Sequence, residues 1–526
     1  MADAPKNKGP YAWASLIGLI ITGVVVIIFV WGNPEKKDDG KPLVQMRPKN
    51  VMQKYANALE VAMKFFDVQK AGKLVNTNIS WRGDSALKDG SQAGLDLSKG
   101  MYDAGDHIKS SYPMAFTATM LSWAILEYGD HMDMVKQLEP ARDSLKWITD
   151  YLINAHPSPN KLYFQVGDPE VDHRCWEKPE TMDDNRPLLY INESKPGSDV
   201  AGEASAALAS ASIVYKKIDP KYSGELLTHA QQLHTFATTY NDSYITSFPK
   251  MQNYYNSSGF KDEILWSSIW LFHATHNKSY LTFVQALSDD NDYMGLGGMT
   301  VFSLDDKSCA AQLLVARLSF FDTGTVKASD KIGQDFRIYT DVSVCGMLPG
   351  APLQLYEMTK GGLIWEDNKN ALEYPVAQAF LTLLYSDYML SSNMKKLNCD
   401  GKYFTPADLR KFAISQVNFV LGQNEKRMSY LVGYGTKYPQ FVHHRGASIP
   451  ADETPSCKKG FEWLNSTKPN PNIATGAMVG GPNLDGEFSD MRKNLEQLEP
   501  FTYNSALLVG LLSGLVSTST VNNTFI

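Results

Sequence analysis

Helix-like runs separated by long loops are the feature that most constrains the fold of this chain. The first run begins at Val51, and Tyr55, Leu59 and Ala62 fall on the same helical face. Strand-like alternation is scarce, so about a dozen such runs predict an all-α (α/α)6 barrel, a toroid of six helical hairpins. The other runs cover residues 113–128, 141–155, 200–216, 222–240, 261–276, 278–288, 308–318, 352–359, 371–390, 405–421 and 499–517.

Length and composition fit one large globular domain. The chain has 526 residues, 43% hydrophobic and 20% charged, with a net charge of -7. Because the chain is negative and lacks a basic patch, we expect it to bind no nucleic acid. No low-complexity linker divides the chain beyond the N-terminal region, so we predict a single domain over residues 49–520. Aromatic residues make up 11% of the chain, which suits core packing and stacking on sugar rings.

An uncharged apolar run lies close to the N-terminus. Residues 12–31 contain no charged side chain, and at about 1.5 Å per residue they would span a bilayer of roughly 30 Å. A cleaved signal peptide is the alternative, but the run is long for one and its cleavage pattern is poor. We predict a tail over 1–11, a transmembrane signal anchor in the lipid bilayer over 12–31, and a stalk over 32–48.

Two opposing signals bear on the orientation of this anchor. Lys6 and Lys8 precede the span and more basic residues follow it, so the positive-inside rule favours a cytoplasmic domain. Long domains translocate largely regardless of charge, and N-glycosylation sequons favour the secretory route. We predict a single-pass type II membrane glycoprotein whose large domain (49–520) is extracellular or lumenal. The sequons begin at Asn78, Asn192, Asn241, Asn256, Asn277, Asn465 and Asn522.

The cysteines are scattered along the chain without a C-x-x-C motif. This spacing argues against a zinc site, and we predict neither a metal nor a cofactor. Outside the cytosol one or two disulfides would form, leaving at least one thiol over. The sequence leaves the pairing and the oligomeric state open. The cysteines are Cys175, Cys309, Cys345, Cys399 and Cys457.

Two carboxylates three residues apart, Asp103 and Asp106, precede the helical run 113–128. Gly105 between them allows a sharp turn or a close approach of another chain segment. Two carboxylates this close can share the task of holding one water, as a general base requires. The alternative is an ordinary helix N-cap, for which aspartate is a common choice.

A second acidic position, Glu499, begins the last apolar run. A carboxyl group partly removed from water in a cleft stays protonated and can act as a general acid, although an acid at a helix N-terminus is the alternative.

Upstream, the cluster His443-His444-Arg445 follows a loop rich in Gly, Tyr and Pro. It offers hydrogen bonds and positive charge to sugar hydroxyls or carboxylates.

Six sequence blocks, in this order along the chain, resemble glycoside hydrolase family 9, the inverting endo-β-1,4-glucanases (cellulases). The resemblance covers the chain from about residue 51 to residue 517. It implies an (α/α)6 barrel that hydrolyses internal bonds of a β-1,4-glucan with inversion, in cell-wall or polysaccharide metabolism. The blocks are SWRGDS (80–85), GLDLSKGMYDAGDHIK (94–109), DHRCW (172–176), PGSDVAGEASAALA (196–209), MSYLVGYGTKYPQFVHHRG (428–446) and GAMVGGPNLDGEFSDMR (476–492).

The resemblance also implies roles for individual residues. Asp106 matches the catalytic base, and Asp103 matches its partner in holding the attacking water. Glu499 matches the general acid, and Asp490 matches an acidic residue that supports the site.

Further positions match the substrate-binding residues of the family. His443 and Arg445 match a His-x-Arg pair that orients the sugar, with His443 counted among the catalytic residues. For Trp266, packing in the core is an equal alternative to lining the cleft. The remaining substrate-binding positions are His173, Trp176, Trp266 and Tyr503.

Some residues depart from the family pattern and leave the exact substrate open. Leu495 stands where the family has an aromatic, and Leu304 replaces a tryptophan that stacks on sugar, a loss of about 0.5–1.5 kcal/mol of binding. Mixed-linkage glucan, xyloglucan or glucomannan are alternative substrates, and a non-catalytic glycan-binding scaffold is the alternative from another class. The anchor without a carbohydrate-binding module resembles the Korrigan-type plant endoglucanases.

Overall fold

The structure, a computed structural model, describes residues 51–75, 78–183, 185–289, 301–323, 325–517 and 521. The predicted tail (1–11), membrane span (12–31) and stalk (32–48) lie outside the described residues. Within the described ranges, no helix combines the length and the apolar character needed to cross a bilayer.

Twelve helices of nine or more residues lie in the described part of the chain, and we number them α1 to α12 in chain order. Eleven of the predicted runs coincide with one of these helices, which confirms that the domain is built from helices. The helices are α1 Gln53–Gln69, α2 Ser111–Met134, α3 Leu138–Ala155, α4 Ser198–Tyr215, α5 Pro220–Thr239, α6 Lys261–Thr275, α7 Lys278–Asp289, α8 Ser308–Ala316, α9 Lys331–Met347, α10 Glu373–Ser391, α11 Pro406–Val420 and α12 Thr502–Leu515.

Contacts between the helices close a ring. The even-numbered helices contact one another in the order α2, α4, α6, α8, α10, α12 and back to α2. Each odd-numbered helix packs outside this ring: α3 against α2, α5 against α4, α7 against α6, α9 against α8, α11 against α10, and α1 against α12. This is the predicted (α/α)6 barrel. Because consecutive helices reverse direction, the six inner helices begin at the same end of the barrel.

The inner helices are buried on nearly every face, as their small and apolar sequences require. All residues of α12 are buried, and in α4 only Ile213 is not. Gly202 of α4 allows close packing on α6, because a Cβ there would lie 3.0 Å from the carbonyl oxygen of Glu263. Lys307 compensates part of the buried acidity of the ring through an ion pair of 2.7 Å with Glu263.

One predicted helix is wrong and one helix was missed. The run 352–359 is not a helix, because its end pairs in a short antiparallel hairpin in which Glu357 lies opposite Trp365 and Met358 lies opposite Ile364. Helix α9, by contrast, contains Gly333, Gly346 and several β-branched residues, which hide its helical pattern. Its apolar side, including Phe336 and Val344, is buried.

Short antiparallel strands decorate the loops. In the first sheet Ser110 pairs with Gln165 and Tyr163 pairs with Tyr190, which fixes the segment that precedes α2. The strands are β1 Lys109–Ser110, β2 Leu162–Val166 and β3 Leu188–Ile191 in sheet order β1-β2-β3, then β4 Glu357–Met358 with β5 Ile364–Trp365, and β6 Leu397–Cys399 with β7 Lys402–Phe404.

Two disulfides join distant segments. Cys175 pairs with Cys457 across 282 residues of sequence, and Cys345 at the end of α9 pairs with Cys399 in β6. Cys309 is buried in α8 and belongs to neither bond. The sequence predicted one or two disulfides and left the pairing open.

The prediction that Trp266 contacts substrate is wrong. The side chain has no exposed area, and its ring centroid lies 5.7 Å from that of Trp123 and 5.6 Å from that of Trp270. All three rings belong to inner helices, so Trp266 is part of an aromatic core inside the ring rather than of a surface.

We expect Trp266→Ala to lower the free energy of unfolding by about 3–5 kcal/mol, because it leaves a large cavity between the inner helices. Denaturant unfolding followed by circular dichroism would measure this loss. Trp365→Ala, at a half-buried position in β5, is the matched control and should cost clearly less. A loss at Trp266 no larger than that of the control would contradict the core assignment.

Candidate active site

A cleft of about 420 Å³ contains most of the residues that the sequence analysis singled out. This volume is ordinary for a site that binds a small molecule or part of a polymer. Its walls come from the loops between helices, with contributions from the segments before α2 and α12. The lining residues are Ala104, Asp106, Ile108, Gln165, Pro169, His173, Trp176, Asn253, Tyr254, Tyr255, Lys369, His443, Arg445, Phe461, Leu464, Leu495, Glu499 and Phe501.

Asp103 lies behind the cleft and caps a helix, though not the one that follows it in sequence. Its Oδ1 accepts a hydrogen bond of 2.8 Å from the backbone N–H of Thr502 and another of 2.5 Å from the Thr502 hydroxyl. Tyr255 donates its hydroxyl to Oδ2 at 2.9 Å. Asp103 therefore joins the loop before α2 to the N-terminus of α12, where a carboxylate is stabilised by the helix dipole.

The backbone between the two aspartates is held in a demanding conformation. Ala104 has a φ of 58°, in the left-handed region that residues other than glycine rarely adopt. The amide of Gln69 stabilises this turn by donating to the carbonyl oxygen of Ala104 at 2.6 Å. Gly105 is required for packing, because a Cβ there would lie 1.9 Å from the carbonyl oxygen of His443.

Asp106 is kept ionised by its neighbours. Its Oδ2 lies 3.2 Å from Nε2 of His173, and its Oδ1 accepts the backbone N–H of Ile108 at 2.9 Å. Burial alone would raise the pKa of Asp106, but the hydrogen bond and charge of His173, with the charge of Arg445, hold it below its usual value. The same hydrogen bond raises the pKa of His173, whose ring lies against that of Tyr254.

Arg445 acts through Asp172, which the sequence analysis did not assign. The guanidinium makes a two-point ion pair with the Asp172 carboxylate, at 2.9 and 2.6 Å, and both side chains are buried. The backbone N–H of Arg445 also donates to the carbonyl oxygen of Gly105 at 3.0 Å. The pair fixes the loop of the two histidines against the loop of the two aspartates.

Glu499 has the opposite protonation state to Asp106. Burial raises the pKa of Glu499 to about 8, and the negative charges of Asp106 and Asp103 act in the same direction. At neutral pH the cleft therefore holds a carboxylate at Asp106 and a neutral carboxyl group at Glu499. One can accept a proton while the other donates one. Burial also raises the pKa of Asp103, to about 6.

His443 is a neutral ring at the side of the cleft. Burial lowers its pKa to about 4. Its Nδ1 lies 2.6 Å from the carbonyl oxygen of Arg492, so this nitrogen carries the proton and Nε2 is left as an acceptor. Trp176 packs edge-on against the His443 ring at 4.9 Å and donates its indole N–H to the hydroxyl of Ser448.

Besides Asp103 and Trp266, two more predicted site residues, Asp490 and Tyr503, are absent from the lining of the cleft. Asp490 accepts backbone N–H groups from Gln440 at 2.8 Å and Phe441 at 3.0 Å, which holds the loop leading to His443. Tyr503 is 5% exposed, lies under Phe501, and its hydroxyl accepts a hydrogen bond from Asn370. Both positions hold neighbouring segments in place.

The two residues that depart from the family pattern, Leu495 and Leu304, lie in different environments. Leu495 lines the cleft, and its side chain is exposed. Leu304 is 7% exposed and is absent from the lining, and its backbone N–H donates to Glu373. Leu304, the position at which we expected a sugar-stacking side chain to be lost, is therefore buried beneath the surface of the protein.

Sequence reasoning missed several residues of the cleft. Tyr254 and Tyr255 line the cleft, and two adjacent tyrosines in a predicted loop were the sequence signal that could have identified them. Asp172 was a visible acid next to His173. Phe461 and Leu464 follow Cys457, and their position depends on a disulfide whose pairing the sequence left open.

Three neighbouring side chains, two that line the cleft and the buried Asp172 beside them, carry atoms of the kind that bind metals. Oxygen or nitrogen atoms of Asp106, Asp172 and His173 lie within 4.8 Å of one another. A cation there would compete with Arg445, which already makes two hydrogen bonds to Asp172, and with the His173–Asp106 hydrogen bond. The group is arranged as an ion-paired network of protein side chains.

Comparison with known proteins relates this geometry to one family. The family described as "Glycosyl hydrolase family 9" matches residues 55–512. The chain is 54% identical over 530 residues to "Endoglucanase 24" of Oryza sativa subsp. japonica, which covers 99% of each protein. It resembles the endoglucanase structure of the termite Nasutitermes takasagoensis, with a TM-score of 0.78, 33% identity, and coverage of 88% of this chain and 98% of that one.

A bacterial structure in complex with sugars is also similar. Endoglucanase CelQ from Clostridium thermocellum, complexed with cellobiose and cellotriose, has a TM-score of 0.72 and 28% identity. The match covers 88% of this chain and 70% of that chain.

We expect the Glu499→Gln variant to become more stable relative to the wild type as the pH rises. The raised pKa means that the folded wild-type protein holds a proton that the unfolded chain releases, so wild-type stability falls between pH 4.5 and about 8. Glutamine does not titrate, so the difference in Tm between variant and wild type should grow in favour of the variant across this range. Thermal unfolding at several pH values measures it, and a difference independent of pH would contradict the raised pKa.

Proposed function

The chain belongs to glycosyl hydrolase family 9 and is an endoglucanase, and we propose that it cleaves β-1,4-glucan with Glu499 as general acid and Asp106 as general base. The observation that carries this assignment is one cleft lined by two carboxyl groups in different environments: Asp106 is hydrogen-bonded to His173, whereas burial raises the pKa of Glu499. Glycosidic hydrolysis requires one carboxyl group that donates a proton and one carboxylate that accepts one.

The reaction follows from these two states. Glu499 donates its proton to the glycosidic oxygen as the bond from that oxygen to the anomeric carbon breaks. Asp106 removes a proton from a water, and the water oxygen bonds to the anomeric carbon from the opposite face, which inverts its configuration. The products are two shorter glucan chains. Exchange of protons with solvent then restores Glu499 as the acid and Asp106 as the base.

Other side chains orient the reacting groups. His173 and the Ile108 backbone N–H occupy one direction at each Asp106 oxygen, which leaves further lone pairs for the water. Asp103 fixes this loop to the helix that follows Glu499, and we assign it to positioning the base and its water. His443 lines the cleft, and we assign its unprotonated Nε2 to accept a hydrogen bond from a sugar hydroxyl.

A binding protein without activity is the competing interpretation. It would need neither a depressed pKa at Asp106 nor a raised one at Glu499 in the same cleft. Parallel hydrolysis assays on carboxymethyl cellulose, mixed-linkage glucan, xyloglucan and glucomannan identify which β-1,4-linked glycan is preferred. We expect viscosity to fall faster with carboxymethyl cellulose than with the other three polymers.

We expect Asp106→Asn and Glu499→Gln each to lower kcat on carboxymethyl cellulose by a factor of about 10²–10⁴ or more, because each removes one proton transfer. The wild-type kcat/KM should fall as the pH rises through about 8, where Glu499 loses its proton. Glu496→Gln is the matched control, an exposed acid three residues from Glu499, and should keep full activity. Retained turnover in both site variants, with circular dichroism spectra unchanged, would favour the binding interpretation.

We propose further that the catalytic domain is anchored to the bilayer by residues 12–31 as a type II membrane glycoprotein, similar to Korrigan-type endoglucanases. Two disulfides in the domain support an oxidising, extracellular or lumenal location. The sequon asparagines also support this route, because each one that the structure describes lies at the surface. Asn192 is half-buried, and Asn78, Asn241, Asn256, Asn277 and Asn465 are exposed.

Translation of the full chain with microsomes tests this topology. We expect the protein to remain in the membrane pellet after alkaline carbonate extraction, to shift in mass on deglycosylation, and to resist added protease apart from a short cytoplasmic tail. A full-length protein that is unglycosylated and digested by protease outside the microsomes would place the domain in the cytoplasm. A protein inside the microsomes that carbonate releases would indicate a cleaved signal.

A further inference from the structure

One wall of the cleft is formed by a segment that contains neither proton-transfer residue. We call residues 457–464 the cleft wall. It begins at the disulfide-bonded Cys457 and ends with the short helix Phe461–Leu464, and the side chains of Phe461 and Leu464 line the cleft. Phe461 is half-buried, so part of its ring faces the open space of the cleft.

The cleft wall is fixed on one side to the segment that carries His173 and Trp176. Cys457 is covalently bound to Cys175, and its carbonyl oxygen accepts the backbone N–H of Trp176 at 2.9 Å. Gly460 lies so close to this segment that a Cβ would be 1.3 Å from the Trp176 carbonyl oxygen. The two segments are 282 residues apart in sequence and touch at the level of the backbone.

Arg492 fixes the end of the cleft wall and the residues that follow it. This buried guanidinium donates hydrogen bonds to the carbonyl oxygens of Trp463, Ser466 and Lys468 and to the side chain of Asn470. The carbonyl oxygen of Arg492 is the group that lies 2.6 Å from Nδ1 of His443. The cleft wall is thus connected to His443 through Arg492 and is hydrogen-bonded directly to Trp176.

We propose that Phe461 is a specificity-determining residue on which one glucose unit of the substrate stacks, and that the Cys175–Cys457 disulfide positions it. A pyranose ring presents a face of C–H groups, and an aromatic ring that is partly exposed in a cleft suits such a face. Leu495 lies in the same cleft where the family resemblance implied an aromatic. Phe461 supplies an aromatic surface from a different loop. This inference rests on the proposed function.

Kinetics of three variants of the full chain on soluble cello-oligosaccharides of increasing length test the role of Phe461. Phe461→Ala should raise KM about two- to twelve-fold and leave kcat within about two-fold, the range of one aromatic contact. Phe461→Tyr keeps the aromatic face and should restore KM. Tyr403→Ala removes an exposed aromatic on the β6–β7 hairpin, 54% exposed, and should change neither constant.

The two disulfides provide a matched pair for the positioning role. Replacing both Cys175 and Cys457 by serine should raise KM at least as much as Phe461→Ala, because the cleft wall loses its covalent attachment. Replacing both Cys345 and Cys399 by serine should lower Tm but leave KM and kcat unchanged, since neither residue lines the cleft. If the first double variant does not fold, the Phe461 series alone decides.

The outcomes separate this inference from the proposed function. An unchanged KM in Phe461→Ala, with wild-type turnover intact, would overturn the role of Phe461 and leave the acid and base assignments standing. A KM that rises equally in Phe461→Ala and Phe461→Tyr would indicate a packing role and would also overturn it. A wild-type protein without hydrolytic activity would instead refute the proposed function.

Discussion

The hydrogen bonds between Asp103 and Thr502 are the interaction on which the rest of the site depends. They join residues 399 positions apart in sequence. One partner precedes the inner helix α2, the other begins the inner helix α12, and these two helices are neighbours in the ring. The same contact that closes the barrel therefore sets Asp106 and Glu499 at a common cleft. A carboxylate that caps a helix from another part of the chain serves fold and chemistry together.

The chemistry arises from environment rather than from residue type. Asp106 and Glu499 are both carboxylic acids, yet His173 and Arg445 stabilise the charge of one, while burial and two negative neighbours disfavour the charge of the other. Arg445 is itself neutralised by Asp172, so its main contribution is to hold two loops together. The barrel places different loops next to Asp106 and next to Glu499, and these different neighbours give the two carboxyl groups opposite protonation states.

Much of this architecture could be predicted from the sequence, and the failures have physical causes. Helical periodicity predicted the ring, but it mistook 352–359 for a helix and missed Lys331–Met347, where glycines and β-branched residues blur the pattern. The sequence motif around Asp103 allowed two interpretations, a helix cap or a partner of the catalytic base. Both require its carboxylate, so the prediction that this side chain matters did not depend on choosing between them. Trp266 was misplaced because burial is a tertiary property. Phe461 was missed because its position depends on a bond between distant cysteines.

The distance along the chain between the two halves of the site has a consequence for biosynthesis. A ribosome makes residue 103 long before residue 502, so during most of synthesis the base loop exists without the helix that anchors it. The inner ring also stays open between α10 and α2 until α12 emerges. Hydrolytic competence and closure of the barrel therefore arrive in one late event. A nascent or truncated chain that stops before Glu499 lacks the carboxyl group that we propose as the general acid, so under this proposal an unfinished copy does not act on glucan.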